Sequence, residues 1–228
     1  MNQIKWNIKE LRGLLINKYG DVILSRFEGY ISTIHLKKRK ADYHAEKSEK
    51  LWKELFNRSA IRFSSRYFRE TMDSATTDVE AMVQALHSTG DILAQVVNLA
   101  VLGSKGLLEE KVNVNQVLKR MKKQKIALDV QKPLLLFKKS DEFQYISAFC
   151  NTIKHRKLLD IKYHTHCDFI KKGVYRIEEG VRFKEFTYRG KTFPVTWSHI
   201  IIGEYRAKIY KMLCDVGISI NNYLKQGV

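Results

Sequence analysis

Residues 74–103, SATTDVEAMVQALHSTGDILAQVVNLAVLG, decide the fold because they carry the clearest helical pattern in the chain. On a helical wheel of about 100° per residue, apolar side chains cover nearly the whole circumference. A helix that is apolar almost all round is typical of a protein core. Thr77 and Glu80 match a capping box at its start, and Gly103 is a typical stop. The pattern therefore predicts a buried helix over residues 78–102.

One narrow stripe of this helix is polar. Its members recur at spacings of three and four and lie within about 80° of arc: Glu80, Gln84, His87, Asp91, Gln95 and Asn98. An unpaired buried polar group costs about 1–3 kcal/mol, so we expect the stripe to face a second polar surface, a ligand or water. Asp91 and His87 are one turn apart. The carboxylate can therefore hold the imidazole in one tautomer, as an orienting acid does for a general base.

Helical spacing also dominates the flanking sequence, which holds only two prolines. Further helices are predicted over residues 4–17, along a basic stretch after a break near Gly20, along a second basic stretch that ends before Pro133, and over about 198–225. Ser140 is predicted to cap a helix from Asp141 to about Leu159. Acids occupy the first turn of that helix and bases the last, the order that the helix dipole favours.

After Tyr163 the pattern changes to an alternation of β-branched or aromatic residues with polar ones, which predicts an antiparallel ribbon over about 168–197. Gly180 and Gly190 are predicted to form turns, and YRGKTF around Gly190 is typical of a tight hairpin. We therefore predict a mostly α fold. It is a helical bundle in a single domain over residues 1–228, with a small antiparallel β-ribbon inserted before the C-terminal helix.

The charge of the chain favours a polyanionic partner. Lys and Arg number 41 against 24 Asp and Glu, a formal net charge of +17. Such an imbalance bears on partners and not on fold, and nucleic acid is the commonest polyanion. An acidic protein is the alternative partner. Binding to nucleic acid would be electrostatic and salt-sensitive, because no base-reading motif occurs.

Three features predict the compartment. The cysteines, Cys150, Cys167 and Cys214, are far apart and form no CxxC motif, which is typical of free thiols in a reducing environment. The first residues have no apolar signal-peptide region. The most apolar run is shorter than the roughly 20 residues that a transmembrane helix needs. We expect a cytoplasmic protein without a membrane partner.

A second polar face lies on the helix that Ser140 caps, in FCNTIKHRKLL (149–159). Asn151 and His155 share this face, and the bases Lys154, Arg156 and Lys157 surround the His. We predict that this helix packs against the first one with both His-bearing stripes facing inward, so that His87, Asp91, Asn151 and His155 converge across a groove. The groove is then either a functional site or a buried polar network that fixes helix register. Lys154, Arg156 and Lys157 would bind phosphate at its opening.

The segment YHTHC places His164, His166 and Cys167 close together, and these are zinc-ligand types. No fourth ligand has matching spacing, so we predict surface residues and no metal. The phosphate-loop, dinucleotide, zincin and nucleophile-elbow motifs do not occur. No cofactor is predicted.

The motif pair ALHSTGDILAQVVN (85–98) and FCNTIKHRKLL (149–159) resembles the HEPN-like helical domains of bacterial defence and toxin systems. That resemblance implies a helical bundle. Many HEPN domains are metal-independent ribonucleases with an R-x(4–6)-H motif, and they commonly act across a dimer interface. The motif His then corresponds to His155 and its Asn to Asn151, and a homodimer is implied. The motif Arg has no counterpart, because positions 148–150 read Ala-Phe-Cys.

Two functions follow from the resemblance and the charge. The first is a nucleic-acid-binding or interaction module, with RNA favoured over DNA. The second is a metal-independent ribonuclease, in which His155 is the general acid/base, Asn151 and Lys154 contact phosphate, and His87 with Asp91 supports them. The missing Arg favours the module.

Overall fold

The structure is a computed structural model that describes residues 5–56, 65–156, 158–171 and 174–226, with the backbone alone over 163–179. It confirms the predicted fold class: the chain is mostly helical, with a small antiparallel sheet before the C-terminal helix. The described helices are α1 (Ile8–Tyr19), α2 (Leu24–Phe56), α3 (Arg66–Val97), α4 (Val114–Gln124), α5 (Leu128–Lys139), α6 (Asp141–His155), α7 (Ser198–Ile200) and α8 (Arg206–Gln226). A π-helical turn, Asn98–Leu102, continues α3, and another, Ile201–Tyr205, joins α7 to α8.

Helix α3 is the predicted buried helix, but it begins earlier than predicted. It starts at Arg66, and Thr77 lies inside it with its hydroxyl donating to the carbonyl of Asp73 at 2.8 Å. The predicted capping box at Thr77 is therefore wrong. A Thr hydroxyl that bonds back to the carbonyl four residues earlier is compatible with a continuous helix. The predicted stop is confirmed, because Gly103 has a positive φ of 52° where the π-helical turn ends.

Burial agrees with a core role for α3. Its principal apolar residues are fully buried: Val79, Met82, Val83, Leu86 and Leu93. In the described part of the chain, the helical stretch Arg66–Lys105 is the one that is long and apolar enough to cross a membrane, with a mean hydropathy of 1.2 in its most apolar window. Of that window, 72% is buried inside the structure, as is typical of the core helix of a soluble protein.

The predicted helix stop at Pro133 is wrong, because Pro133 lies inside α5. The break falls earlier, where Lys125 and Ala127 adopt left-handed backbone with φ values of 54° and 52°. A proline inside a helix leaves the carbonyl four residues earlier without its donor. Here that residue is the exposed Asp129 in the first turn of α5, where water can take the bond.

The cap at Ser140 is confirmed. Its Oγ accepts a hydrogen bond from the backbone N–H of Phe143 at 3.2 Å, and α6 follows directly. An N-cap of this kind satisfies one of the first four N–H groups of a helix.

The antiparallel strands begin earlier than predicted, at residue 161. They are β1 (Ile161–Lys171), β2 (Val174–Phe183), β3 (Phe186–Tyr188), β4 (Lys191–Phe193) and β5 (Thr196–Trp197). The sheet order is β1-β2-β5, and β3 pairs with β4 as a separate hairpin. The register runs from Ile161 opposite Phe183 in β1–β2 and places Phe186 opposite Phe193 in β3–β4.

One of the two predicted glycine turns is confirmed. Arg189 and Gly190 form the two-residue β3–β4 turn with φ values of 50° and 77°, the positive pair that a tight hairpin requires. The turn predicted at Gly180 is wrong, because Gly180 lies inside β2. A Cβ added to Gly180 would lie 3.4 Å from the indole ring of Trp197. That distance is an ordinary van der Waals contact, so the structure does not require a glycine at this position.

The chain divides into two compact units. One takes in Met1–Arg39, Ala85–Gln144 and Ala207–Val228, and the other takes in Lys40–Gln84 and Tyr145–Arg206. We refer to them as the terminal unit and the sheet unit. The prediction of a single domain over 1–228 stays a prediction.

Candidate nucleic-acid interface

The C-terminal end of α6, in the sheet unit, presents a group of exposed basic side chains. Lys154 and His155 occupy the last turn of the helix, and Arg156 follows it; all three side chains are exposed. Cations at this end of a helix are stabilised by the helix dipole. Because they are solvated, they are available to an anionic ligand. Lys157 lies outside the described residues.

The same helix end fixes the neighbouring polar groups. The side-chain amide of Asn151 donates to the carbonyl of Ser147 at 2.7 Å, and the hydroxyl of Thr152 donates to the carbonyl of Ala148 at 2.8 Å. The backbone N–H of Arg156 donates to the carbonyl of Thr152 at 2.9 Å. The half-buried Asn151 therefore uses a donor within its own helix.

Arg156 connects the end of α6 to the β3–β4 hairpin. Its guanidinium lies 5.1 Å from the centre of the Tyr188 ring and donates to the carbonyl of Thr187 at 3.5 Å. The guanidinium of Arg189 lies 5.4 Å from the same ring. Each arrangement is a cation–π contact. Two arginine side chains are thus held at one aromatic ring, and both residues remain exposed.

Next to Arg156 is a cleft of about 420 Å³. It is lined by Thr152, Arg156, Leu159, Asp160, Glu185, Phe186 and Thr187. Leu159 and Phe186 are buried and form apolar walls, and Asp160 and Glu185 are exposed carboxylates. The backbone N–H of Lys184 donates to the carbonyl of Asp160 at 2.8 Å and joins the two loops that carry the carboxylates.

An aromatic cluster supports this cleft from below. Phe149 of α6 is fully buried and meets Phe183 edge-on at 4.9 Å between ring centres. Tyr145 meets Phe186 edge-on at 5.5 Å, and Phe186 stacks on Phe193 at 5.2 Å. Edge-on and offset contacts of this kind are favourable for aromatic rings. Burial also raises the pKa of the Tyr145 hydroxyl well above its ordinary value, so this group stays neutral.

The polar stripe of α3 does not face inward as a whole, which corrects the prediction. Gln84 and Asp91 are exposed, His87 and Gln95 are half-buried, and Asn98 is buried. The apolar residues of the helix take the interior, and two of the six stripe residues, Gln84 and Asp91, are exposed to water. Water was one of the three partners expected for it.

The inner members of the stripe have structural contacts. The His87 ring is parallel to Phe143, with 6.2 Å between ring centres. Asn98 bonds the backbone of Leu107 in both directions, at 2.8 and 3.1 Å. Gln95 donates to the carbonyl of Glu109 at 2.9 Å. Asn98 and Gln95 therefore hold the chain that follows the helix.

The four predicted catalytic residues fall in different units. His87 and Asp91 belong to the terminal unit, whereas Asn151 and His155 belong to the sheet unit. His155 is exposed, so the prediction that it faces inward is wrong. A shared pocket for the four residues stays a prediction.

One buried polar cluster in the sheet unit was missed. The Asp78 side chain is 5% exposed, and its carboxylate lies 2.8 Å from Nδ1 of His44 and 3.2 Å from Nζ of Lys47. A buried carboxylate needs such partners, because an unpaired buried charge is strongly unfavourable. The partners lie on α2, 34 and 31 positions away in sequence, so no local sequence pattern predicts these contacts.

The prediction that His164, His166 and Cys167 bind no metal cannot be compared with side-chain positions. His164, His166 and Cys167 lie in β1, where the backbone alone is described. Among the side chains that are described, no group of three or more metal-binding types is found.

The terminal unit carries a second basic surface. Residues 114–139, which form α4 and α5, contain eight Lys or Arg and one acid, Asp129. Six of these cations are exposed: Lys119, Lys122, Lys123, Lys125, Lys132 and Lys139. The positive charge is therefore concentrated at particular places in both units.

These features define a mostly helical protein with exposed basic side chains at the end of one helix, beside a cleft that an aromatic cluster supports. No protein-family model matches the chain, and no match is found among the curated proteins or the solved structures.

Proposed function

We propose that the chain is a HEPN-like RNA-binding module of a bacterial defence or toxin type system, acting in the cytoplasm. The observation that supports this most is Arg156, an exposed guanidinium held against Tyr188 at the mouth of an apolar-walled cleft. Arginine suits phosphate because its planar group donates two parallel hydrogen bonds. A homodimer is part of the proposal, from the HEPN resemblance.

A single strand suits this site better than a duplex. Unstacked bases can enter a cleft and contact apolar or aromatic walls, whereas paired bases stay inside the helix. Lys154 adjoins the cleft residues in sequence and Arg189 lies on the same hairpin, and their charges suit the backbone of a strand. The HEPN resemblance favours RNA over DNA.

The first prediction concerns Arg156. We expect Arg156→Ala to weaken binding of a 20-nucleotide single-stranded RNA about five- to tenfold, and to reduce the slope of log affinity against log salt by about one. The measurement is fluorescence anisotropy between 50 and 200 mM salt. Arg69→Ala is the matched control, because Arg69 is an exposed arginine on α3 in the same unit. Equal effects of the two substitutions, or salt-independent binding, would contradict the proposal.

The second candidate function is a metal-independent ribonuclease that uses His155. It is supported by the exposure of His155 between two cations, where an imidazole can contact a phosphodiester. We expect the parent protein to leave labelled RNA intact in the presence of a chelator, because no Arg precedes His155 at the motif spacing. Cleavage by the parent that His155→Ala abolishes, with an unchanged melting temperature, would establish the ribonuclease instead.

A further inference from the structure

We propose that the cleft beside Arg156 selects guanine, with the carboxylate of Asp160 or Glu185 accepting hydrogen bonds from the Watson–Crick edge of the base. This inference rests on the proposed function, since it names the base that the RNA site would take. The cleft joins three kinds of group that a nucleotide needs: a guanidinium, apolar walls and acceptors.

The apolar walls are held rigidly. Leu159 and Phe186 are 5% and 7% exposed, so most of each side chain is packed within the protein. Phe186 is fixed by its stack on Phe193, with 15° between the ring planes, and by edge-on contacts with Tyr145 and Phe149. A wall that cannot turn suits a flat ring, because little side-chain freedom is lost on binding.

The two carboxylates are available to a ligand. Asp160 and Glu185 are both exposed, and neither forms an ion pair or side-chain hydrogen bond with another residue that the structure describes. The bond from the Lys184 N–H to the Asp160 carbonyl uses backbone atoms and leaves the carboxylate unengaged. An ionised carboxylate is an acceptor only, so it recognises donors.

The balance of charge in the cleft argues against bare phosphate as its ligand. The lining holds one guanidinium and two carboxylates, so the lining residues are not cationic in sum. A ligand that satisfies these groups carries an anionic group for Arg156 and hydrogen-bond donors for the carboxylates. A nucleotide carries both, in its phosphate and in the edge of its base.

Guanine is the base whose Watson–Crick edge fits a carboxylate. Its N1–H and N2–H groups are adjacent donors, whereas adenine and cytosine place a ring acceptor beside their amino group. Uracil places its N3–H between two carbonyl acceptors. An acceptor opposite a carboxylate is repelled, and a desolvated carboxylate left without donors is costly. Good bidentate contacts of this kind discriminate strongly between bases.

The test compares two RNA pentamers of equal charge, UUGUU and UUAUU. We expect the parent protein to bind UUGUU about tenfold more tightly, in keeping with the usual discrimination by a bidentate base contact. The double variant Asp160→Asn with Glu185→Gln keeps the side-chain shapes and should bind the two pentamers with nearly equal affinity. The single variants identify which carboxylate contacts the base.

The control and the outcomes separate this inference from the proposed function. Glu204→Gln neutralises another exposed acid of the sheet unit and should keep the guanine preference. Equal binding of both pentamers by the parent would overturn the guanine proposal and leave RNA binding intact. A preference that survives in the double variant would overturn the role of the carboxylates. Failure of the parent to bind either pentamer would overturn the proposed function and this inference with it.

Discussion

Replacing Phe149 with Ala will lower the free energy of unfolding by about 3–5 kcal/mol. The side chain is fully buried, and its ring contacts Phe183, Tyr145 and Phe186. Truncation removes the transfer free energy of the ring and leaves a cavity that rigid aromatic neighbours cannot fill. The measurement is equilibrium unfolding in urea followed by circular dichroism, with the midpoint and slope fitted together.

Two further variants make this result specific. Phe149→Leu keeps most of the volume and should cost less than Phe149→Ala. Val195→Ala changes a side chain of the same unit that is 51% exposed, and it should alter the free energy of unfolding by no more than about 0.5 kcal/mol. A loss below about 1 kcal/mol for Phe149→Ala would mean that the aromatic cluster does not support the sheet unit as described.

Replacing Gly217 with Ala will destabilise the terminal unit by about 1–3 kcal/mol. A Cβ at this position on α8 would overlap the indole ring of Trp6. That ring is held by a hydrogen bond from its Nε1 to Oδ1 of Asn221 at 3.2 Å, and Asn221 donates in turn to the carbonyl of Asn7 at 2.9 Å. The ring must move, and the network that anchors the start of α1 moves with it.

A glycine-to-alanine substitution at Gly13 should instead raise the free energy of unfolding. Gly13 lies inside α1, and a Cβ there meets no atom within 4 Å. Gly13→Ala should therefore stabilise by about 0.5–1 kcal/mol, because it reduces the entropy of the unfolded chain. Both values come from the same urea titration. If the clash with Trp6 is the cause, Gly217→Ala should be far less damaging in a Trp6→Ala background, which a double-mutant cycle measures.

Local signals made much of the fold predictable. The break at Gly20, the stop at Gly103, the cap at Ser140 and the turn at Gly190 each depend on one residue and its immediate neighbours. The errors share the opposite property. A helix stop is predicted at Pro133, but the break lies at Lys125 and Ala127, where the backbone is left-handed. Lysine and alanine are not residue types that predict such a backbone.

The other wrong predictions concern residues whose structure depends on parts of the chain outside the local motif. Gly180 is of a residue type typical of turns, yet it lies inside β2, where the strand is paired with β1. Thr77 matched a cap, although the helix had already begun at Arg66. In both cases the conformational preference of a single residue is outweighed by the strand or helix that surrounds it.

The candidate site was predictable to the same extent. The exposed cations Lys154 and Arg156 follow from the order of residues along one helix, whereas the exposure of His155 is contrary to the prediction. The cleft could not be foreseen, because it brings Arg156 and Asp160 together with Glu185 and Phe186 from a hairpin some 25 to 30 positions away. Such proximity depends on strand pairing, whose register no motif in this sequence specifies.

The contact between Trp6 and α8 also makes the fluorescence of Trp6 a probe of folding. The chain has three tryptophans, and Trp6 is the one in the terminal unit, whereas Trp52 and Trp197 belong to the sheet unit. Fluorescence from variants that keep only Trp6, or only Trp197, therefore reports on one unit at a time. Comparing the two emission curves during denaturation measures how far the units melt together, with no external dye attached.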